Sequence, residues 1–287
     1  MSRRPFLATR RRNPMEARPA TAALRALGLT VFTLWSLFPI YWLVQMGFKK
    51  PLDTTSIPPK WLFEPVLDAY RQAFTDAPMR ALLLNSLQVA VLATAIALVV
   101  GLFAAYALVH LRTHQARDYE FWVLSTRMAP PVAVALPFYL VYQHTDLLDT
   151  LWGLALMHVV IVIGVVTWIL IETFNGLPRE LLEAAQVDGC SHWGAFRRVM
   201  APLAVPGLVG AGVLSFLLSW NEFFFALILT SNHTTAPVGL FNFVGFQSVN
   251  LGALAAAATV LLIPAFVIVL VFQKFLVRGL TMGAVKG

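Results

Sequence analysis

Long blocks of apolar residues, separated by short polar stretches, run through this chain of 287 residues. Crossing a hydrocarbon core about 30 Å thick takes roughly 20 residues of helix, at about 1.5 Å each. Six blocks reach that length: residues 24–48, 81–109, 121–142, 151–171, 203–230 and 253–276. Each is continuously apolar rather than alternating, which predicts helices and not a barrel. The expected fold class is an all-α membrane protein with six transmembrane helices. Pro130, Pro131 and Pro137 predict a kink in the third span. The alanine run at 255–258 predicts close helix packing in the sixth.

Composition agrees with the pattern. Only 12% of residues are charged, against about a quarter in a soluble domain, too few to cover a water-exposed surface. The net charge of +7 sits at segment ends, where lipid headgroups and topology explain it. No Lys/Arg stripe interleaved with aromatics points to nucleic acid. Cys190 is the single cysteine, so an internal disulfide and a Cys-rich metal motif are both excluded. Residues 1–23 are polar and Arg-rich, and the apolar run after them is too long for the core of a cleaved signal peptide.

Lys and Arg placement gives direction. Fifteen lie in the N-terminal tail and span entry, the loops after spans two and four, and the C-terminal end. Five lie in the first loop of the opposite side: Lys49, Lys50, Lys60, Arg71 and Arg80. Arg127 falls inside span three, and the other two opposite-side loops have none. Both termini are therefore expected in the cytoplasm, with 1–23 as a basic tail, 24–276 as the membrane domain and 277–287 as a second tail. The first outer loop carries Trp61, Tyr70 and several prolines. Its length suits either a lid of short helices or a contact surface for an extracytoplasmic partner.

The inner loop at 175–202 reads as helix, break, helix. Pro178 suits a first helical position. Glu180 and Glu183 suit the early turns, where the helix dipole favours negative charge. Gly189 can take positive φ and stop the helix. Ser191 can cap a second short helix that brings Trp193, Phe196 and Val199 to one face, and Pro202 breaks the chain before span five. The small residues Ala184 and Ala185 permit close approach by another surface. Pinned between two spans, such an element can transmit a push from a cytoplasmic partner. An amphipathic helix lying on the lipid surface would give the same periodicity.

The residues themselves narrow this choice. Glu183-Ala184-Ala185, three further residues and Gly189 resemble the EAA loop of binding-protein-dependent ABC importer permeases. The loop ends Val199-Met200-Ala201-Pro202, with Val and Ala in place of the family's Ile and Leu. Asp188-Gly189 and Phe196 match the carbohydrate-importer form. Asn85-Ser86, the string Ser219-Trp220-Asn221-Glu222-Phe223 and the C-terminal residues from Leu276 also resemble maltose-type permeases, although Met282 replaces a small residue usual there. The resemblance implies the type I ABC importer permease fold and a multi-pass protein of the bacterial inner membrane. It implies import of a sugar, polyol or related carbohydrate by alternating access. A second permease subunit, two ATPase subunits and a periplasmic or extracellular substrate-binding protein would be the partners. Glu183, Ala184, Ala185, Asp188, Gly189 and Phe196 would form the ATPase-coupling site, and the C-terminal tail is a further candidate contact. The sequence contains no Gly-x-x-x-x-Gly-Lys-Ser/Thr phosphate loop. No cofactor is expected in this chain, and ATP and Mg²⁺ would belong to the partner ATPase.

Charged and polar residues inside spans are functional candidates by default. Glu222 is either a substrate hydroxyl contact or gate, or a structural hydrogen-bonding group with Asn221. Arg127 either snorkels to the inner interface or lines a polar cavity with Met128. Arg127, Met128, Asn221 and Glu222 are thus the candidates for the translocation path. His158 reads as a packed residue. His110 and His114 have metal-ligand spacing but no third ligand near them in sequence. A secondary transporter would need intramembrane coupling-ion residues and usually an internal repeat. A membrane enzyme would need clustered His, Asp or Glu. Neither pattern is present in the sequence.

Overall fold

The computed structural model describes residues 19–75, 78–110, 116–126, 128–245 and 249–282. The helices, in chain order, are α1 (Pro19–Met46), α2 (Pro51–Thr54), α3 (Asp68–Thr75), α4 (Met79–His110), α5 (Ala116–Ser125), α6 (Pro131–His144) and α7 (Leu151–Asn175). The inner loop then gives α8 (Glu180–Val187), α9 (His192–Ala195), a π-helix (Phe196–Met200) and α10 (Ala201–Leu203). The last part comprises α11 (Val205–Trp220), α12 (Phe224–Leu229), α13 (Ala236–Gly239), a 3₁₀ turn (Leu240–Phe243) and α14 (Leu251–Met282).

Among the described residues, four helices are individually long and apolar enough to cross a membrane: α1, α4, α7 and α14. The other two expected spans are not single rods. Span three is divided into α5 and α6, because Pro131 starts a new helix and holds Pro130 in an extended conformation (ψ 129°). Pro137 sits inside α6 without ending it. Span five is α11 followed, after a break at 221–223, by the short α12. Each divided segment taken as one crossing is compatible with six spans. The sixth expected span lies in α14, which runs on to Met282, so the C-terminal tail begins as helix.

The centre of the bundle is α7, which packs along α4 and against α11. Its fully buried side chains include Leu154, Met157, His158, Val162, Val166, Leu170 and Phe174. Lipid is as apolar as leucine, so close van der Waals packing of small residues holds such helices together. A methyl group on Gly101 of α4 would come within 2.9 Å of Val166, and α14 presents buried Ala253, Ala255, Ala256 and Ala257. The alanine run thus packs as its composition predicts. Trp220 Nε1 donates to the Leu261 carbonyl at 3.2 Å, tying α11 to α14.

At the end of the bundle away from α8, Asn85 Nδ2 donates to the Thr234 carbonyl at 2.9 Å, and the Ala236 N–H donates to Ser86 Oγ at 2.8 Å. The Asn-Ser pair therefore anchors the segment leading into α13. The first loop, between α1 and α4, forms short helices. Its α3 packs on α14 as a lid, while Leu52, Ile57, Trp61 and Leu62 remain exposed. Buried Lys49 lies over the rings of Trp42 (4.8 Å) and Phe63 (5.2 Å), a cation–π clamp between α1 and this loop. Residues 21–39 of α1 are all exposed. An apolar surface of that extent needs lipid or another protein over it.

Candidate functional site: the inner loop between α7 and α11

Asn175 ends α7, and Gly176 turns the chain. Pro178 lies two residues ahead of α8 rather than at its first position; its carbonyl accepts from the Leu181 N–H at 3.3 Å. α8 ends in a complete Schellman motif. The Cys190 N–H donates to the Ala185 carbonyl at 2.9 Å and the Gly189 N–H to the Gln186 carbonyl at 3.0 Å. Gly189 takes φ +83°, as the sequence predicts. Nothing lies within 4 Å of a Cβ built there, so the demand for glycine comes from backbone conformation alone.

Ser191 caps the next helix, its Oγ accepting from the Gly194 N–H at 3.1 Å. That helix does not continue in α register. Residues 196–200 are π-helical, a single-turn insertion of the kind that often marks functional positions. The bend into span five falls at Ala204 and measures 68°, not at Pro202 as expected. Pro202 occupies the first turn of α10, where its missing N–H is harmless. Pro206, at the start of α11, prevents a straight continuation.

The six expected coupling residues divide into two faces. Glu183, Ala184, Asp188 and Gly189 are exposed, while Ala185 and Phe196 are buried in the bundle. Phe196 packs against Tyr106 (4.8 Å between ring centres), Phe103 (5.4 Å) and Trp193 (5.3 Å), and Tyr106 meets Phe174 at 5.8 Å. The Tyr106 hydroxyl donates to the His192 carbonyl at 3.2 Å. Gln186 Nε2 lies 3.1 Å from His192 Nδ1, linking α8 to α9. The inward face thus grips the inner ends of α4 and α7. The outward face carries Leu181, Ala184 and Val187, with Val187 87% exposed. Leu181 and Val187 are absent from the sequence-based site. Their spacing from Ala184, three residues each way, was the available signal.

The path candidates are more dispersed. Arg127 lies outside the described residues, as does His114. Met128 is exposed in the break between α5 and α6. Asn221 and Glu222 share the turn that ends α11. Asn221 Nδ2 donates to the Leu217 carbonyl at 2.8 Å. Glu222 Oε1 accepts from the Phe225 N–H at 2.9 Å and Oε2 from the Ala226 N–H at 3.1 Å. Its carboxylate therefore caps α12. His158 of α7 approaches Glu222 Oε2 at 3.2 Å, a partnership between spans that the sequence does not announce.

The family model described as "binding-protein-dependent transport system inner membrane component" matches residues 119–282, which include the whole inner loop. The chain belongs to this family. The permease is 33% identical to the sulfoquinovosyl glycerol transport system permease protein SmoH of Agrobacterium fabrum, over 92% of this chain and 94% of that one. It is 35% identical to the trehalose transport system permease protein SugB of Mycobacterium tuberculosis, over 90% and 95% respectively. Its fold matches a chain of a bacterial ABC transporter involved in the import of the acidic polysaccharide alginate, with TM-score 0.74 and 22% identity, covering 91% of the permease and 99% of that chain. The permease is thus an all-α, multi-pass inner-membrane component with the ABC importer permease fold. It is a transport subunit, not an enzyme.

Proposed function

We propose that this permease forms half of the translocation path of an ATP-driven importer for a sugar, polyol or related carbohydrate. A second permease subunit supplies the other half. Two ATPase subunits, which hold ATP and Mg²⁺, dock on the inner loop, and a periplasmic or extracellular binding protein delivers substrate to the outer face. The observation that carries this reading is the two-faced inner loop. Its outer face offers Leu181, Ala184 and Val187 to a partner, and its inner face is locked by Phe196 and Tyr106 to α4 and α7. A force on the outward face therefore reaches two spans directly. The names of the two relatives, one for trehalose and one for a glycosylglycerol, support the carbohydrate class.

The Lys and Arg asymmetry supports a cytoplasmic inner loop and two cytoplasmic termini. The membrane domain is then 24–276, with tails at 1–23 and 277–287. Of the path candidates, exposed Asn221 is the better placed to meet a substrate hydroxyl, since both Glu222 oxygens are engaged. Arg127 and Met128 belong to the same proposal on sequence grounds.

The test is a mild-detergent pull-down of the tagged permease from its host, followed by reconstitution of what comes with it. An ATPase, a second permease and ATP-dependent sugar accumulation are expected. Accumulation driven by an ion gradient with no ATPase present would overturn the reading.

A further inference from the structure

α7 leads from the inner loop to the outer side of the molecule, and two polar ties bind its outer half to the divided span five. The first is at His158, which is 1% exposed and lies about 10 Å along the helix from Leu151, at roughly 1.5 Å per residue. His158 Nδ1 is 2.7 Å from Ser219 Oγ, on the last turn of α11. His158 Nε2 is 3.2 Å from Glu222 Oε2, in electrostatic contact though not aligned as a hydrogen bond, and it has no hydrogen-bonded partner. Nδ1 shares a hydrogen bond with the Ser219 hydroxyl, and Nε2 is directed toward the carboxylate.

The second tie is at Asp149, two residues ahead of α7. Its Oδ1 accepts from the N–H groups of Ser231 (2.8 Å), Asn232 (2.8 Å) and His233 (3.0 Å), and its Oδ2 from Asn232 Nδ2 (2.7 Å). The Asp149 N–H donates to the Leu229 carbonyl at 2.8 Å. Residues 219–233, which contain the break, are therefore held to α7 on both sides of α12.

The break itself creates the need for His158. The first N–H groups of α12 have no carbonyl before them to bond, and at membrane depth no bulk water substitutes. Glu222 meets that need with a carboxylate, which is itself costly to bury. His158, held by the Ser219 hydroxyl, supplies the polar side-chain contact beside the carboxylate.

We propose that His158 is a positioning residue that makes α12 and the outer turn follow α7 when the inner loop is displaced. This rests on the proposed ATP-driven function. The α7 rod begins at the Asp149 clasp and ends at Asn175, one turn before the docking helix α8. Displacement of α8 moves the rod, and the His158–Glu222 contact carries the movement across the break. Without His158 the rod moves while the turn at 221–223 and the start of α12, then held only from the far end by the Asp149 clasp, slip. ATP turnover on the partner subunits then continues while the start of α12 no longer moves with α7.

The test uses the purified full complex in nanodiscs, with spin labels at Trp152→Cys on α7 and Leu227→Cys on α12, both exposed positions, in a Cys190→Ser background. With His158 present, a single narrow label distance is expected with and without ATP. His158→Leu should keep ATP turnover but split or broaden that distance when ATP is added. His158→Gln, which keeps a polar side chain beside Glu222, should restore the narrow distance. An unchanged narrow distance in His158→Leu would overturn the proposal. If His158→Leu does not assemble, Glu222→Gln gives the reading: a broadened distance supports the proposal and a narrow one overturns it. Failure of all three variants to assemble would also overturn it, since the contact would then be a folding requirement. Absence of ATP turnover in the unsubstituted complex speaks against the ATP-driven function on which the proposal rests, whereas turnover with a narrow distance in His158→Leu overturns the proposal alone.

Discussion

Gly207 of α11 lies so close to Thr173 of α7 that a methyl group on Gly207 would overlap the threonine side chain. Gly210, one turn further along the same helix, has nothing within 4 Å of such a methyl. The pair makes a controlled comparison within one helix. Gly207→Ala is expected to destabilise the permease by about 1–3 kcal/mol, the usual penalty of overpacking. Gly210→Ala should be neutral or mildly stabilising, by up to about 1 kcal/mol, because alanine is the better helix former. Thermal unfolding in detergent, followed by circular dichroism, separates the two. Equal shifts would mean that α7 and α11 are not in contact at Thr173.

Gly189 presents the opposite case, with open space but a demanding backbone. Gly189→Ala should strain the turn by about 1–2 kcal/mol through positive φ, while Gly189→Asn should be milder, since asparagine tolerates that region. The bundle should remain folded in both, and the loss should appear in ATPase binding. Titration of the partner ATPase against the purified permease would show a lower affinity for the alanine variant than for the asparagine one. Unaltered binding of both would remove the Schellman turn from the docking surface.

The grip of Phe196 and Tyr106 on the inner loop has separable parts. Tyr106→Phe removes the hydrogen bond to the His192 carbonyl and keeps the ring contacts. A loss of about 0.5–1.5 kcal/mol is expected, seen as faster amide exchange at residues 192–196 with little change in the spans. Phe196→Ala should cost about 3–5 kcal/mol, because it opens a cavity among Phe103, Tyr106 and Phe174. Similar exchange rates in Tyr106→Phe and the parent would mean that the hydroxyl does not restrain α9.

Asp149 gives a pH signature outside the spans. Partial burial pushes its carboxyl up, but the N–H groups of His233, Ser231 and Asn232 and the Asn232 side chain outweigh that effect. The net result holds it far below the ordinary value of 3.8. A depressed carboxyl pKa stabilises the fold fully above its unfolded value and loses that contribution as pH falls toward the folded one. The stability gap between the parent and Asp149→Asn should therefore be constant from neutral pH down to about 5 and shrink below about 4. Melting temperatures of the two proteins across that range provide the check. A gap that closes near neutral pH would contradict the clasp.

Much of this protein is written in its linear pattern. Hydropathy alone locates the apolar segments, because each segment must be apolar enough to leave water regardless of its neighbours. The docking loop is equally legible. Pro178, Gly189 and Ser191 act through their own backbone or side-chain chemistry, so the turn at Gly189 and the cap at Ser191 form where they are read. Other features were decided in three dimensions. An apolar run has the same hydropathy whether it is straight or broken, so the division at 221–223 was hidden within a continuous block, whereas Pro130 and Pro131 announced the break in span three. The inward burial of Ala185 and Phe196 depends on how the loop rotates onto α4 and α7. The meeting of His158 with Glu222 depends on the rotation of α7 against α11, which close contacts such as Gly207 on Thr173 fix. Local chemistry determined where this chain turns; only packing decided which faces meet, because that choice depends on the shapes of residues far apart in the sequence.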